Sequence, residues 1–149
     1  MPLVSPEFAV EDIGKAMDYY ERVLGFQKGA AVPGEGGKLI HGDVRIGDSI
    51  HLMLSPAQGV SGAANAAVAR KLTQGGAKGA GVLLYIDLGD VDIDRYYEDV
   101  TGKGAKVIVP IQDQFWGDRN FTIEDLEGYI LTFSQHVRDV DLSQMQRPQ

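Results

Sequence analysis

His51 is the residue of this chain with the widest choice of chemistry. It stands in residues 49–54, where Ile50, Leu52 and Leu54 alternate with His51 and Met53. On a strand that alternation gives the aliphatic side chains to a face packed on a helix and turns His51 and Met53 the other way. An imidazole so placed can contact a ligand, act as a general base near neutral pH, or be satisfied by a neighbouring Asp or Tyr. Residues 82–87 repeat the pattern: Val82, Leu84 and Ile86 pack, and Leu83, Tyr85 and Asp87 oppose them. Trp116, the only tryptophan, precedes Gly117 at the mouth of a hairpin. It can stack on a planar or cationic ligand, or pack as a lid on its own domain, as Phe115 beside it would. Arg119 can clamp a ligand carboxylate or phosphate, although Asp118 and Glu124 offer it ordinary ion pairs. Glu7, on the first strand, can hold a cationic group, or be one more solvated carboxylate. His41 and His136 read as surface or edge residues, without the spacing of a zinc site.

The elements that must position these groups follow from local signals. Residues 3–10 alternate as a strand, Asp12 caps a helix starting at Ile13, and Ile13, Met17, Tyr20 and Leu24 form its buried stripe. Gly25 ends the helix in a left-handed conformation. Strands are expected over 26–32, 38–46 and 49–54, separated by 33–37 and Gly47-Asp48. The order strand, helix, three strands then recurs. A strand over 82–87 leads to a helix over 91–101, capped by Asp90 or Asp92, a strand over 106–109, and two runs, 119–124 and 129–133, joined by Asp125-Leu126-Glu127-Gly128. Tyr19-Tyr20-Glu21 and Tyr96-Tyr97-Glu98 lie 77 residues apart, as do Gly25 and Gly102, which suggests a degraded internal repeat. The expected organisation is one domain over 1–149. A first module covers 1–55, a Gly- and Ala-rich linker 56–81 with a short helix over 63–72, a second module 82–136, and a polar tail 137–149. The glycines of the linker precede a strand, so they do not read as a phosphate loop.

Composition removes several classes. A formal charge of −7 without a basic stripe argues against a nucleic-acid partner. The absence of cysteine excludes disulfides, thiolate metal sites and a cysteine nucleophile. No Gly-x-Ser-x-Gly elbow presents a serine. With no apolar run of about 18 residues and no signal-peptide pattern, a cytoplasmic protein that engages no membrane is the default expectation.

The segments from Val10-Glu11-Asp12-Ile13 to Tyr19-Tyr20-Glu21-Arg22-Val23-Leu24-Gly25-Phe26, from Arg45-Ile46-Gly47-Asp48-Ser49 to Leu54, and from Trp116-Gly117-Asp118-Arg119 to Asp125-Leu126-Glu127-Gly128-Tyr129 carry a family likeness. The chain resembles the vicinal-oxygen-chelate superfamily of glyoxalase I, extradiol dioxygenases and bleomycin-resistance proteins. The resemblance implies an α+β fold of two tandem β-α-β-β-β modules, their eight strands forming an open cup with helices on the outer face. It implies a homodimer closing two cups. In metal-dependent members the ligands come from the first and last strand of each module. Carried over by position, those places are Ser5, His51, Leu83 and Thr132, of which only His51 is a competent donor.

The expected function is therefore metal-independent binding of a small organic molecule, aromatic or cationic, by sequestration. Glu7, His51, Met53, Tyr85, Trp116 and Arg119 are the expected ligand contacts; no catalytic residue, metal ligand or cofactor is assigned. The competing expectations are a glyoxalase-like lyase or isomerase, or a dioxygenase, with a displaced metal site or with His51 as base, and a structural or regulatory dimer with a vestigial cup.

Overall fold

The computed structural model describes residues 4–48, 50–57, 78–141 and 143. The chain divides into two compact units, Met1–Ala80 with Leu126–Gly128, and Gly81–Asp125 with Tyr129–Gln149. The helix expected over 63–72 lies outside the described residues, as does most of the expected linker.

In the first unit β1 (Glu7–Val10) leads into α1 (Ile13–Arg22), β2 (Gln27–Pro33), a 3-10 turn (Glu35–Gly37), β3 (Leu39–Ile46) and β4 (Ile50–Pro56). The strands form one sheet in the order β1-β4-β3-β2, with β1 parallel to β4 and the other pairs antiparallel. Helix α1 begins where the sequence says it should: the Asp12 carboxylate accepts the Lys15 N–H at 3.0 Å, satisfying a backbone donor that the first turn cannot. It ends at Gly25, with φ at +75°, and the Phe26 N–H returns to the Tyr20 carbonyl at 2.9 Å. Ile13, Ala16, Met17 and Tyr20 form the buried stripe. Gly42 lets that stripe close on the sheet, because a Cβ there would stand 2.7 Å from both Ile13 Cγ2 and Met17 Sδ. Phe8, Val10, Val44, Leu52 and Leu54 complete this core.

The second unit repeats the plan with β5 (Leu83–Asp87), α2 (Ile93–Gly102), β6 (Lys106–Asp113), β7 (Asp118–Glu124) and β8 (Ile130–His136). Its sheet runs β5-β8-β7-β6, again with one parallel pair. Two β-α-β-β-β modules in tandem make the fold α+β. Asp92 rather than Asp90 caps α2, its carboxylate accepting from Asp94 N at 3.0 Å and Arg95 N at 3.2 Å. Strand β6 runs past Val109 to Asp113 despite Pro110, which an edge strand with shifts in pairing register tolerates.

The repeat is real but its expected register is not. The two helix caps, Asp12 and Asp92, are 80 residues apart, so Tyr19-Tyr20 and Tyr96-Tyr97 occupy different turns of their helices. Tyr20 corresponds to Val100, eight residues beyond each cap, and both are fully buried. Tyr96 instead packs edge-on against Phe133, and Tyr97 against Phe121. The left-handed glycine that closes α2 is Gly104, at φ +97°, and Gly102 is the last residue of the helix.

Candidate ligand-binding site

Each sheet has one face covered by its helix and one that is not, and the polar chemistry collects on the uncovered faces. In the second unit Phe121, Ile123, Leu131 and Phe133 lie beneath α2, fully buried. The opposite parity brings forward Tyr85, Asp118, Asn120, Thr122, Thr132 and Ser134. The parallel register sets Tyr85 beside Thr132, and the β7–β8 hairpin sets Asn120 beside Ser134.

Asp118 is the hub of this face. Its Oδ2 accepts from Tyr85 Oη at 2.7 Å, Trp116 Nε1 at 3.1 Å and Ser134 Oγ at 3.2 Å. Its Oδ1 faces His136 Nδ1 at 3.3 Å. With its single proton given to Asp118, the Tyr85 oxygen is free to accept from Asn120 Nδ2 at 3.3 Å. Gln114 Nε2 donates to Asn120 Oδ1 at 3.0 Å and so fixes which way that amide points. Partial burial pushes the Asp118 carboxyl up, but hydrogen bonds from Tyr85, His136, Trp116 and Ser134 together outweigh it and hold the pKa below the usual carboxylate range. The second nitrogen of His136 meets Asp139 at 2.7 Å. Only an imidazolium donates from both nitrogens, and the hydrogen bonds to Asp139 and then Asp118 raise the His136 pKa.

This network holds two aromatic rings on a common anchor. Tyr85 is 48% exposed, and Trp116 is half-buried with Phe115 edge-on to it at 4.9 Å. The turn carrying Trp116 is clamped from behind: the N–H groups of Val137 and Arg138 both donate to the Gly117 carbonyl, at 2.9 and 3.1 Å. Gly117 has φ at +100°, and a Cβ there would stand 2.2 Å from the Arg138 carbonyl oxygen. Fixed rings over an ionised carboxylate suit a planar organic ligand, because stacking then costs little side-chain entropy.

Arg119 does not join them. As the neighbour of Asp118 it points to the other face, where its guanidinium bonds Asp94 at 2.8 Å and Asp113 at 3.0 Å. Those carboxylates raise its pKa. Neither of the partners expected from sequence, Asp118 and Glu124, is used; Glu124 pairs with Lys106 at 2.8 Å. Arg119 thus ties α2 to β6 and β7, and of the expected contacts on this unit it is the one not gathered with Tyr85 and Trp116.

In the first unit the uncovered face gathers the other three expected contacts. Glu7 and Met53 are directly paired across β1 and β4, Met53 is opposite Asp43 on β3, and His51 is opposite Arg45. Glu7 is exposed; Met53 and His51 are half-buried. The residue that sequence reading missed is Asp43, a carboxylate only 4% exposed. His51 Nε2 lies 3.3 Å from its Oδ1, His41 Nε2 3.7 Å from Oδ2, and Arg45 Nε 3.8 Å from Oδ1. None of these contacts is a hydrogen bond, and both Asp43 Oδ1 and His51 Nε2 are buried without a partner. Leaving such groups unpaired costs about 1–3 kcal/mol each.

The inherited metal positions do not fit a metal. Leu83 offers no donor atom, Thr132 shares its hydroxyl with Thr122 at 2.7 Å, and Ser5 is an exposed neutral hydroxyl. Among the described residues no three His, Asp or Glu side chains are grouped to hold an ion, and no helix is long and apolar enough to cross a membrane. Surface depressions of about 650 Å³ beside α2 (Val91, Asp92, Arg95, Tyr96) and about 300 Å³ at the start of α1 involve none of the expected contacts.

Two such modules, each with a parallel first and last strand and a polar uncovered face, define the paired-module class to which glyoxalases and bleomycin-resistance proteins belong. The family model described as Glyoxalase/Bleomycin resistance protein/Dioxygenase superfamily matches residues 3–133, and the chain belongs to that superfamily. An uncharacterized protein of Mycobacterium bovis is 28% identical over 145 residues, 97% of this chain and 90% of the relative. Among solved structures, TioX from Micromonospora sp. ML1 is similar at a TM-score of 0.68 and 24% identity, covering 92% of this chain and all of that one. A glyoxalase/bleomycin resistance protein/dioxygenase from Nocardioides reaches 0.67 at 19% identity, covering 98% and 91%. At these identities the structural likeness speaks for the fold alone.

Proposed function

We propose that this protein binds a small organic molecule non-covalently and without a metal, sequestering it as bleomycin-resistance-type members of the superfamily would. The observation that carries this reading is the Asp118 hub, which fixes the Tyr85 and Trp116 rings at a partly exposed surface. Such an arrangement provides shape and stacking, and favours a planar ligand, with a cationic group where a ring face can receive it. On the first unit, taken by itself, Glu7, His51 and Met53 are proposed as ligand contacts of its own uncovered face. A homodimer is part of the proposal: β2 is an edge strand exposed along its whole length, and a second copy is a natural cover for such an edge. The acidic, cysteine-free composition suits a cytoplasmic binder.

The test is a thermal-shift series with bleomycin and the planar cation proflavine, read together with quenching of Trp116 emission. A ligand at one hundred times its Kd adds about 2.7 kcal/mol, or about 5–10 °C of Tm in a chain of this length. The shift should vanish in the Tyr85→Ala, Trp116→Ala double variant. A shift that survives that variant, or none with either probe, overturns the assignment.

A further inference from the structure

The uncovered face of the first unit carries a second piece of chemistry, independent of the aromatic hub. Asp43 sits mid-strand in β3, and its burial is provided for by the opposing strand. A Cβ on Gly29 would stand 1.7 Å from Asp43 Oδ1, so β2 accommodates the carboxylate only by lacking a side chain at this irregularity in its pairing. A carboxylate placed with such specificity, with one oxygen buried and unpaired, calls for a chemical reason.

His51 supplies it. An ionised carboxylate oxygen only accepts, and a protonated ring nitrogen only donates, so the two unpaired atoms are complementary. They lie 3.3 Å apart, a distance at which His136 and Asp118 do bond, so it is the direction of the ring N–H that is off, and a rotation of the imidazole aligns it with Oδ1. Arg45 and His41 also face the carboxylate, but at 3.8 and 3.7 Å, and Arg45 points largely to solvent. Locating the His51 proton on Nε2 makes Nδ1 the lone-pair nitrogen. The side chain is 36% exposed and Nε2 is closed off, so Nδ1 is the ring nitrogen left to meet a substrate.

The geometry points to a His51–Asp43 general-base dyad, in which His51 Nδ1 removes a proton from a weak carbon acid and Asp43 is the positioning residue that holds the tautomer. The C–H bond breaks and its electron pair stays with the substrate, passing into an adjacent carbonyl or expelling a leaving group. Nδ1 gains the proton, and the imidazolium is balanced by the Asp43 carboxylate behind it until the proton returns to product or water. Sequestration requires none of this, so the inference goes beyond the proposed binding and does not rest on it.

The probe is 5-nitrobenzisoxazole with the full-length chain. A base takes its ring C–H proton, the N–O bond breaks, and coloured 2-cyano-4-nitrophenolate forms without any cofactor or oxidant. Wild-type protein should turn over the probe faster than buffer, and His51→Ala should remove the excess, with free imidazole restoring part of it. Asp43→Asn should lower kcat about tenfold or more with little change in KM, whereas Glu98→Gln, at an exposed carboxylate of α2, should stay within about twofold of wild type. Circular dichroism confirms that each variant is folded. A measurement on wild type alone guards against a variant that is not: two-bond ¹⁵N–¹H spectra should show His51 protonated on Nε2 with Nδ1 bare. Wild type no faster than His51→Ala, Asp43→Asn with wild-type kcat, or His51 protonated on Nδ1 would each overturn the dyad.

Discussion

Replacing Asp118 by Asn removes one charge from the centre of the second unit while leaving its shape, which makes it the sharpest test of the hub. Three donors converge on Oδ2, from Tyr85, Trp116 and Ser134. An amide oxygen in the same place keeps three acceptor contacts but loses their charge assistance, about 1 kcal/mol each, or about 3 kcal/mol together. The Asp118 side chain is 21% exposed at the rim, and solvent screening removes about half of that. The expected loss is thus about 1.5 kcal/mol near pH 6, or about 3–6 °C of Tm. Urea unfolding read by emission of Trp116 measures it at the network itself. The pH dependence has a definite sign. Asp118 has a lowered folded pKa, so its contribution is present above the ordinary carboxylate range and disappears as pH falls through the lowered value. His136 has a raised folded pKa, so its share is present below the ordinary imidazole value and is lost as pH rises through the raised one. Wild type and Asp118→Asn should therefore differ most between about pH 4 and 6.5, the two ordinary values. A difference below about 0.5 kcal/mol at pH 6, or one equally large at pH 6 and pH 3, would refute the hub as drawn.

Two further substitutions separate the hub from its support. Gly117→Ala should destabilise the chain by about 2–4 kcal/mol, because it combines a left-handed backbone with a collision against the Arg138 carbonyl oxygen. The midpoint of urea unfolding checks it, and an unchanged midpoint would mean that the 137–138 segment does not clamp this turn. Arg119→Gln should cost less than about 1 kcal/mol, as its partly exposed pairs with Asp94 and Asp113 are screened. It should also leave any proflavine thermal shift intact; loss of that shift would return Arg119 to the ligand.

What could be read from the sequence was whatever local chemistry decides. Asp12 and Gly25 bound α1 because a capping carboxylate and a left-handed glycine act within one helical turn. The strand faces around His51 and Tyr85 followed from alternation alone, and the burial of Leu52, Leu54 and Ile86 agrees with it, whereas Val82, expected to pack with them, precedes β5 and is 59% exposed. The apparent repeat of Tyr-Tyr-Glu misled because matching letters do not set a helix register. Caps and the buried stripe do, and they place Tyr20 and Tyr96 at different depths.

The two acidic residues that organise the uncovered faces were hidden for different reasons. Asp118 could have been found, since adjacent strand residues point to opposite faces and an Asp118–Arg119 pair within β7 was therefore excluded. The same alternation that sends Arg119 to Asp94 turns Asp118 toward Tyr85. Asp43 could not be found that way, because a polar residue alternating in a strand normally faces solvent. Its burial depends on a missing side chain in another strand, at Gly29, and its significance on the one ring nitrogen that shares its isolation. Both faces thus rest on a carboxylate, but in opposite electrostatic circumstances. Asp118 is saturated with donors, which fixes rings and resists protonation, as binding requires. Asp43 has ion-pair contacts at 3.3–3.8 Å but an Oδ1 without a hydrogen bond, which leaves that oxygen able to stabilise a charge that forms on His51 beside it, as proton transfer requires.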